Sequence, residues 1–317
     1  MTNKYGIALL FVVVAASARA VNDPQFAVKE SHRDTNGVTF RTATGTMRIE
    51  ACGDRVIHVV ASPTSELPTP KVPIVTQPCR ANNLQVKVGK KEAKLSTTSI
   101  TVTVDAASGA VSFLSSDGKV VLAEPKQGGK DFEVPSVFEL KTWQVQQTFL
   151  SPSDEALYGL GQHQEGIFNL REVPVRLHQA NTNISIPVVL SSKGYGILWN
   201  NPSLTDFNPA DQAIAIDPGT GKGKFTTGAT GAYGFVLNSD NRKQLMVEVN
   251  GRRVIDLQNE WTPSSASGFV DLEANKEYEI SALGGPAADV LQERDKGCWC
   301  DARNSRGLAQ GSRPMSL

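Results

Sequence analysis

From Val38 to about Ile280, apolar residues recur at every second position, and no stretch between residues 21 and 285 has the face of an amphipathic helix. Side chains alternate faces along a strand, so this period describes half-buried strands, and a chain built from them must stack sheets around a core. Ile100, Val102 and Val104 alternate with Thr101, Thr103 and Asp105. Val111 and Phe113 open the next strand, and Asp117-Gly118 offers a two-residue hairpin turn before Val120, Val121 and Leu122. Residues 137–150, with Phe138, Leu140, Thr142 and Val145, suit a long, partly exposed strand. Asn250-Gly251, set between Leu245-Met246-Val247 and Val254-Ile255, is the strongest hairpin signal. The expected class is all-β, built of packed antiparallel sheets rather than an α/β enzyme fold.

The two ends depart from this pattern. Lys4, the apolar run from Ile7 to Ala16 and the small residues of Ala18-Arg19-Ala20 read as a cleaved signal peptide over residues 1–20. The run is shorter than the roughly 20 apolar residues of a spanning helix, so export to a secreted or periplasmic location is expected, without a membrane anchor. At the other end, residues 286–317 scatter Arg294, Arg303, Arg306 and Arg313 among Gly, Ser, Asp and Gln with neither apolar period. They read as an irregular tail, natural or frameshifted. Charge is balanced at 32 basic and 32 acidic residues, which excludes the basic field of a nucleic-acid binder or an anionic-membrane footprint. The expected partner is a neutral molecule.

Export places the four cysteines in an oxidising space. Cys52 and Cys79 are candidates for a disulfide closing a Pro-rich loop, with two buried thiols as the alternative. No metal site is expected there. Cys298 and Cys300 flank one Trp and match no metal or redox spacing.

One block is far more specific. Leu157-Tyr158-Gly159-Leu160-Gly161-Gln162 is followed by Gly166, Asn169 and Gln179-Ala180-Asn181. Then come Ile184-Ser185-Ile186-Pro187 and Ser191-Ser192-Lys193-Gly194-Tyr195-Gly196-Ile197-Leu198-Trp199-Asn200-Asn201. In order and spacing this resembles the N-terminal β-sandwich of glycoside hydrolase family 31, over about residues 25–215. The resemblance implies an antiparallel, galactose-mutarotase-like sandwich over residues 21–217. A second resemblance lies in Val249-Asn250-Gly251-Arg252-Arg253-Val254-Ile255-Asp256 and Leu272-Glu273-Ala274-Asn275-Lys276-Glu277-Tyr278. This is similar to the β-barrel module of anthrax protective antigen, and implies a partial carbohydrate-binding barrel module over residues 218–285. Asn275 stands where that module has glycine, a substitute the left-handed region tolerates. Both pieces in this order point toward α-xylosidase rather than α-glucosidase.

The resemblance implies a retaining glycosidase with carbohydrate as partner and no cofactor. Such enzymes need two carboxyl groups about 5–5.5 Å apart. The family presents both on a (β/α)₈ barrel of roughly 250 residues, and no βα alternation occurs here. Trp299-Cys300-Asp301 echoes the family's nucleophile but lacks a preceding barrel strand, and reads as coincidence. The chain is therefore expected to lack the catalytic barrel and to have no catalytic residue. It is also expected to stop inside the inserted module, without the returning strands of the sandwich. His163, Gln164, Gln179, Asn181 and Trp199 are the candidate sugar-binding residues, since amide, imidazole and indole groups suit neutral hydroxyls. They equally suit loop anchoring and core packing. The alternatives are a self-sufficient carbohydrate-binding protein and, more remotely, a mutarotase-like enzyme working from the sandwich alone.

Overall fold

The structure is a computed structural model describing residues 24–68, 78–81, 83–134, 142–163, 167–171, 173–179, 183–201, 203–209, 212–217, 219–239, 244–258, 264–283, 299–304 and 313–316. The signal peptide expected over residues 1–20 lies outside them. Strands β1 (Val28–Arg33), β2 (Gly37–Thr42), β3 (Thr46–Ala51) and β4 (Ile57–Ser62) form an antiparallel meander. A second meander follows in β5 (Gln85–Val88), β6 (Glu92–Ser96), β7 (Ile100–Asp105), β8 (Val111–Ser115) and β9 (Val120–Ala123). Val38, Phe40, Met47 and Ile49 from the first meander meet Leu95, Val102, Val104 and Val111 from the second in one core. The alternation read in β7 is the observed one, with Val102 and Val104 buried and Thr101 and Thr103 half-buried. Cys52 and Cys79 are joined in a disulfide spanning 27 residues of sequence. A loop of that length stabilises the fold by about 2–4 kcal/mol through loss of unfolded-state entropy.

Arg48 of β3 reaches Asp34 in the β1–β2 turn at 2.5 Å. That hydrogen bond, aided by the Asn36 and Gly37 amides and opposed by partial burial, lowers the Asp34 carboxyl from its usual 3.8 to about 2. A depressed carboxyl contributes stability above its unfolded value, and the contribution is lost as pH falls toward 2. Partial exposure keeps it below about 1 kcal/mol. An NMR titration should place the Asp34 midpoint near 2, and Arg48→Gln should return it toward 4. An unchanged midpoint in Arg48→Gln would discount the ion pair.

The next strands are β10 (Lys130–Glu133), β11 (Gln144–Ser151), β12 (Leu157–Gln162), β13 (Val175–Leu177), β14 (Ile184–Ser191), β15 (Gly196–Leu198) and β16 (Thr205–Phe207). They carry a second core of Phe149, Leu157, Leu160, Val175, Leu177, Val189 and Phe207. Of the long strand expected over 137–150, residues 144–150 lie in β11, and 137–141 lie outside the described residues. Phe113 packs against both cores and ties them together. Glu124 and Lys130 form an ion pair with side chains 2% and 4% exposed.

Then come β17 (Gln212–Ile214), β18 (Lys222–Thr226), β19 (Gly231–Ser239), β20 (Gln244–Val249), β21 (Arg252–Gln258), β22 (Ser264–Leu272), β23 (Glu277–Leu283), β24 (Trp299–Asn304) and β25 (Arg313–Ser316). Two four-stranded sheets, ordered β17-β24-β19-β22 and β18-β23-β20-β21, share a third core around Phe225, Phe235, Val247 and Ile280. Asn250 and Gly251 both have positive φ, as a two-residue hairpin turn requires, and Asn275 sits at φ 54°. Among the described residues no sheet closes into a barrel.

The all-β, antiparallel expectation stands, while the tail differs from it. β24 pairs with both β17 and β19, and β25 pairs with β11. Met315 is buried in the second core. A strand therefore does return to the sandwich, where none was expected. The echo Trp299-Cys300-Asp301 lies within β24, in register with β19.

Candidate functional site

The block Leu157–Gln162 is β12, and its geometry explains its glycines. Gly159, Leu160 and Gly161 have φ of 107°, 62° and 103°. Across this kink the register with β14 shifts, from Gly159 opposite Val189 to Gly161 opposite Ser185. A Cβ on Gly161 would lie 1.9 Å from the Ile184 carbonyl oxygen. The kink drives Leu160 into full burial and leaves its carbonyl to accept a hydrogen bond from His163 Nε2 at 2.9 Å.

The same end of the sheet gathers polar side chains. Gln179 donates from Nε2 to the Asn183 carbonyl at 3.2 Å and accepts at Oε1 from the Ser185 amide at 3.1 Å. It fastens the start of β14. Trp199 follows β15, its backbone amide bonded to Pro187 O at 2.8 Å and its ring packed on the second core. Trp199 Nε1, Asn200 Oδ1 and Ser185 Oγ are buried without a hydrogen-bond partner among the described residues. Buried polar atoms are nearly always paired, so three such atoms at one end of β14–β15 set this end of the sheet apart.

Of the candidate residues, the structure brings His163, Gln179 and Trp199 to this end. Gln164 and Asn181 lie outside the described residues. His163 and Gln179 both serve the backbone, which accords with the loop-anchoring reading. Ser185 and Asn200 were absent from the candidates although both sit inside the block. Their type is common in loops, and only their burial without partners sets them apart.

The other end of the sheet is closed. Glu155, buried, accepts hydrogen bonds from Ser151 Oγ at 3.2 Å, from Ser191 Oγ, and from Tyr195 Oη at 2.6 Å. Burial, with the Glu155 carboxylate beside it, pushes the Tyr195 phenol well above its usual range. Tyr195 is thus a fixed donor, partly buried and packed against the second core. The disulfide brings a further surprise, because strand pairing sets His58 and Glu50 beside Cys79. Glu50 and His58 lie close to Cys52 in sequence, and Cys79 joins them through the disulfide across 27 residues.

The outward face of the β12–β14–β15 sheet is apolar. Ile184, Ile186, Leu190 and Leu198 are exposed on it, and Tyr158 contacts the ring of Phe168, which is itself 81% exposed. Chemically, the arrangement offers neutral hydrogen-bonding groups and an apolar platform.

The profile of the glycosyl hydrolase 31 N-terminal galactose mutarotase-like domain matches residues 46–208. The chain belongs to that family. This family 31 chain is 35% identical over 125 residues to an α-xylosidase of Saccharolobus solfataricus, covering 37% of this chain and 16% of that protein. It is 37% identical over 94 residues to an uncharacterized family 31 glucosidase of Pseudescherichia vulneris, covering 30% and 15%. The crystal structure of the family 31 α-xylosidase from Xanthomonas citri superposes with a TM-score of 0.70 at 22% identity, over 90% of this chain and 37% of that one. That likeness shows the shared fold. The chain aligns with only about a sixth of the curated relatives' length.

Proposed function

We propose that this family 31 chain is the N-terminal part of an exported enzyme acting on α-linked xylose or glucose, α-xylosidase being favoured. In this role it supplies a substrate-site wall and a docking platform rather than catalytic carboxylates. The observation that carries the reading is the family match over the segment that holds the three unpartnered polar atoms. Neutral donors and acceptors of this kind suit sugar hydroxyls. The exposed apolar face of β12–β14–β15 is the surface on which the remainder of such an enzyme would rest. Contiguous apolar faces of this sort mark interaction surfaces. Both named relatives are sugar hydrolases much longer than the aligned segment, which supports this arrangement.

A second reading, a self-sufficient secreted carbohydrate-binding protein, is favoured by β25, which adds a strand from the tail to the sandwich. Sugar affinity separates the two. One wall of a pocket cannot bury most of a ligand, so the first reading expects only weak binding. Calorimetry on the full chain with xyloglucan fragments should show affinity no better than millimolar, and aryl α-xylosides should not be hydrolysed. Micromolar binding would favour the second reading. Turnover abolished by a substitution in this chain would overturn both.

The docking face has its own expected result. Light scattering should detect self-association of the purified chain, and the double substitution Ile186→Lys and Leu198→Lys should shift it toward monomer. A wild-type chain that stays monodisperse would argue against an uncovered face.

A further inference from the structure

The first meander carries a cluster that the carbohydrate reading leaves unused. Glu50 of β3 and His58 of β4 are directly opposite one another, and the Glu50 carboxylate meets His58 Nδ1 at 2.9 Å. One ligand atom each from Glu50, His58 and Cys79 lies within 4.8 Å of the other two. The sulfur of Cys52 is bonded to that of Cys79, so it lies next to this trio although outside the mutual 4.8 Å spacing. Two sulfurs, an imidazole nitrogen and a carboxylate oxygen thus converge beside one hairpin. The His58 side chain is 41% exposed and that of Glu50 18%, so the cluster is reachable from solvent.

We infer that, once the Cys52–Cys79 disulfide is reduced, Cys52, Cys79, His58 and Glu50 form a binding site for a thiophilic divalent cation of the Zn²⁺ class. Two thiolates, one imidazole and one carboxylate are the four-coordinate, borderline-soft set that zinc takes. Disulfide and metal exclude each other, because the ion binds thiolates and the oxidised pair has none. The steps balance. An external dithiol or phosphine gives two electrons to the S–S bond and is itself oxidised, each sulfur takes up a proton, and metal binding then releases both protons.

The site does not depend on the S–S bond to keep its parts together. Cys52 N donates to Val56 O at 2.8 Å, and Ala51 N donates to Asn36 O at 2.9 Å. On the other side, Asn36 Nδ2 donates to Cys79 O at 3.1 Å, and Ala81 N donates to Asn36 Oδ1 at 3.4 Å. Asn36 therefore clamps both cysteine-bearing segments. Two sulfurs at about 2.3 Å from one tetrahedral ion stand roughly 3.7 Å apart, a spacing that side-chain rotation alone can reach. Arg48 bonds Glu50 Oε2 at 3.0 Å, which leaves Oε1 directed at the cluster. Such an outer partner orients a ligating carboxylate. Its charge also offsets part of the excess negative charge that two thiolates and a carboxylate place around a divalent ion.

The test uses the full chain carrying Cys298→Ser and Cys300→Ser, so that one cysteine pair remains. After reduction with a phosphine, one equivalent of Co²⁺ should bind with thiolate-to-cobalt charge-transfer absorption and tetrahedral ligand-field bands, and Zn²⁺ should displace it. The air-oxidised chain should show neither. His58→Ala should weaken Zn²⁺ binding at least 10-fold or so, since loss of even an outer partner typically costs that much, and should still form the disulfide on oxidation. Absence of the thiolate band after reduction, equal binding by the oxidised chain, or unchanged affinity in His58→Ala would each overturn the assignment. The comparison of oxidation states needs no substitution at the site, so it stands even if a variant folds poorly.

Discussion

Replacing Gly161 with valine should abolish cooperative folding of the sandwich, whereas Gly194→Ala should cost only about 1 kcal/mol. Both glycines have positive φ, 103° and 83°, so each substitution pays backbone strain. They differ in surroundings. Nothing lies within 4 Å of a Cβ at Gly194, while a Cβ at Gly161 would fall 1.9 Å from Ile184 O and 2.9 Å from both Ile184 C and Ile186 N. All three are backbone atoms of the paired strand, so relief requires β12 and β14 to part at the kink. That would also withdraw Leu160 from the core it fills. The combined loss exceeds about 4 kcal/mol, a large share of a domain's total stability. Urea unfolding followed by tryptophan fluorescence should show a transition in Gly194→Ala and none in Gly161→Val. A Gly161→Val transition within about 1 kcal/mol of wild type would refute the kink.

The second large effect concerns the buried pair of Glu124 and Lys130. Glu124 accepts hydrogen bonds from the Val111 and Gly129 amides at 3.2 Å each and from Gln147 Nε2 at 3.1 Å. Lys130 Nζ adds contacts at 2.6 and 2.8 Å. The carboxylate thus knots β8, β10 and β11 together in a place water does not reach. Lys130→Met keeps the volume of the side chain and removes the counter-charge, leaving a buried anion with neutral donors only. Breaking such a pair costs about 3–5 kcal/mol. Replacing both partners, as Glu124→Leu with Lys130→Met, should recover part of the loss, because no charge then remains to be solvated. Chemical denaturation of the two variants checks the sign. A single substitution as stable as the double one would mean that the pair is not desolvated.

Much of this architecture was legible because strands display their burial in every second residue. β7 shows its inward Val102 and Val104 directly, and Asn250-Gly251 names its own turn. The sandwich block was legible for a different reason, since Gly159 and Gly161 are required by a backbone approach that excludes any Cβ. What stayed hidden lacks such a mark. β25 is four residues long and turns one large apolar side chain, Met315, into the core, which is too short a stretch to show a period. Glu124 and Glu155 look like surface charges in sequence, because burial of a carboxylate depends on donors supplied by distant strands. Leu160 takes a positive φ with no glycine to announce it. His58 stands opposite Glu50 because of the register between β3 and β4, and Cys79 joins them through its disulfide to Cys52.

The pairing of β25 with β11 has a consequence for synthesis. Residues 313–316 lie on residues 148–151, more than half the chain away. During translation the edge of β11 stays bare while the intervening residues, including all of β17–β24, emerge and pair among themselves. The sandwich therefore cannot close in order from its N-terminus, and its last ladder forms only after the β25 segment has left the ribosome. Such distant pairing slows folding and prolongs exposure of an unpaired edge, the interval in which a chaperone or a neighbouring nascent chain competes for it.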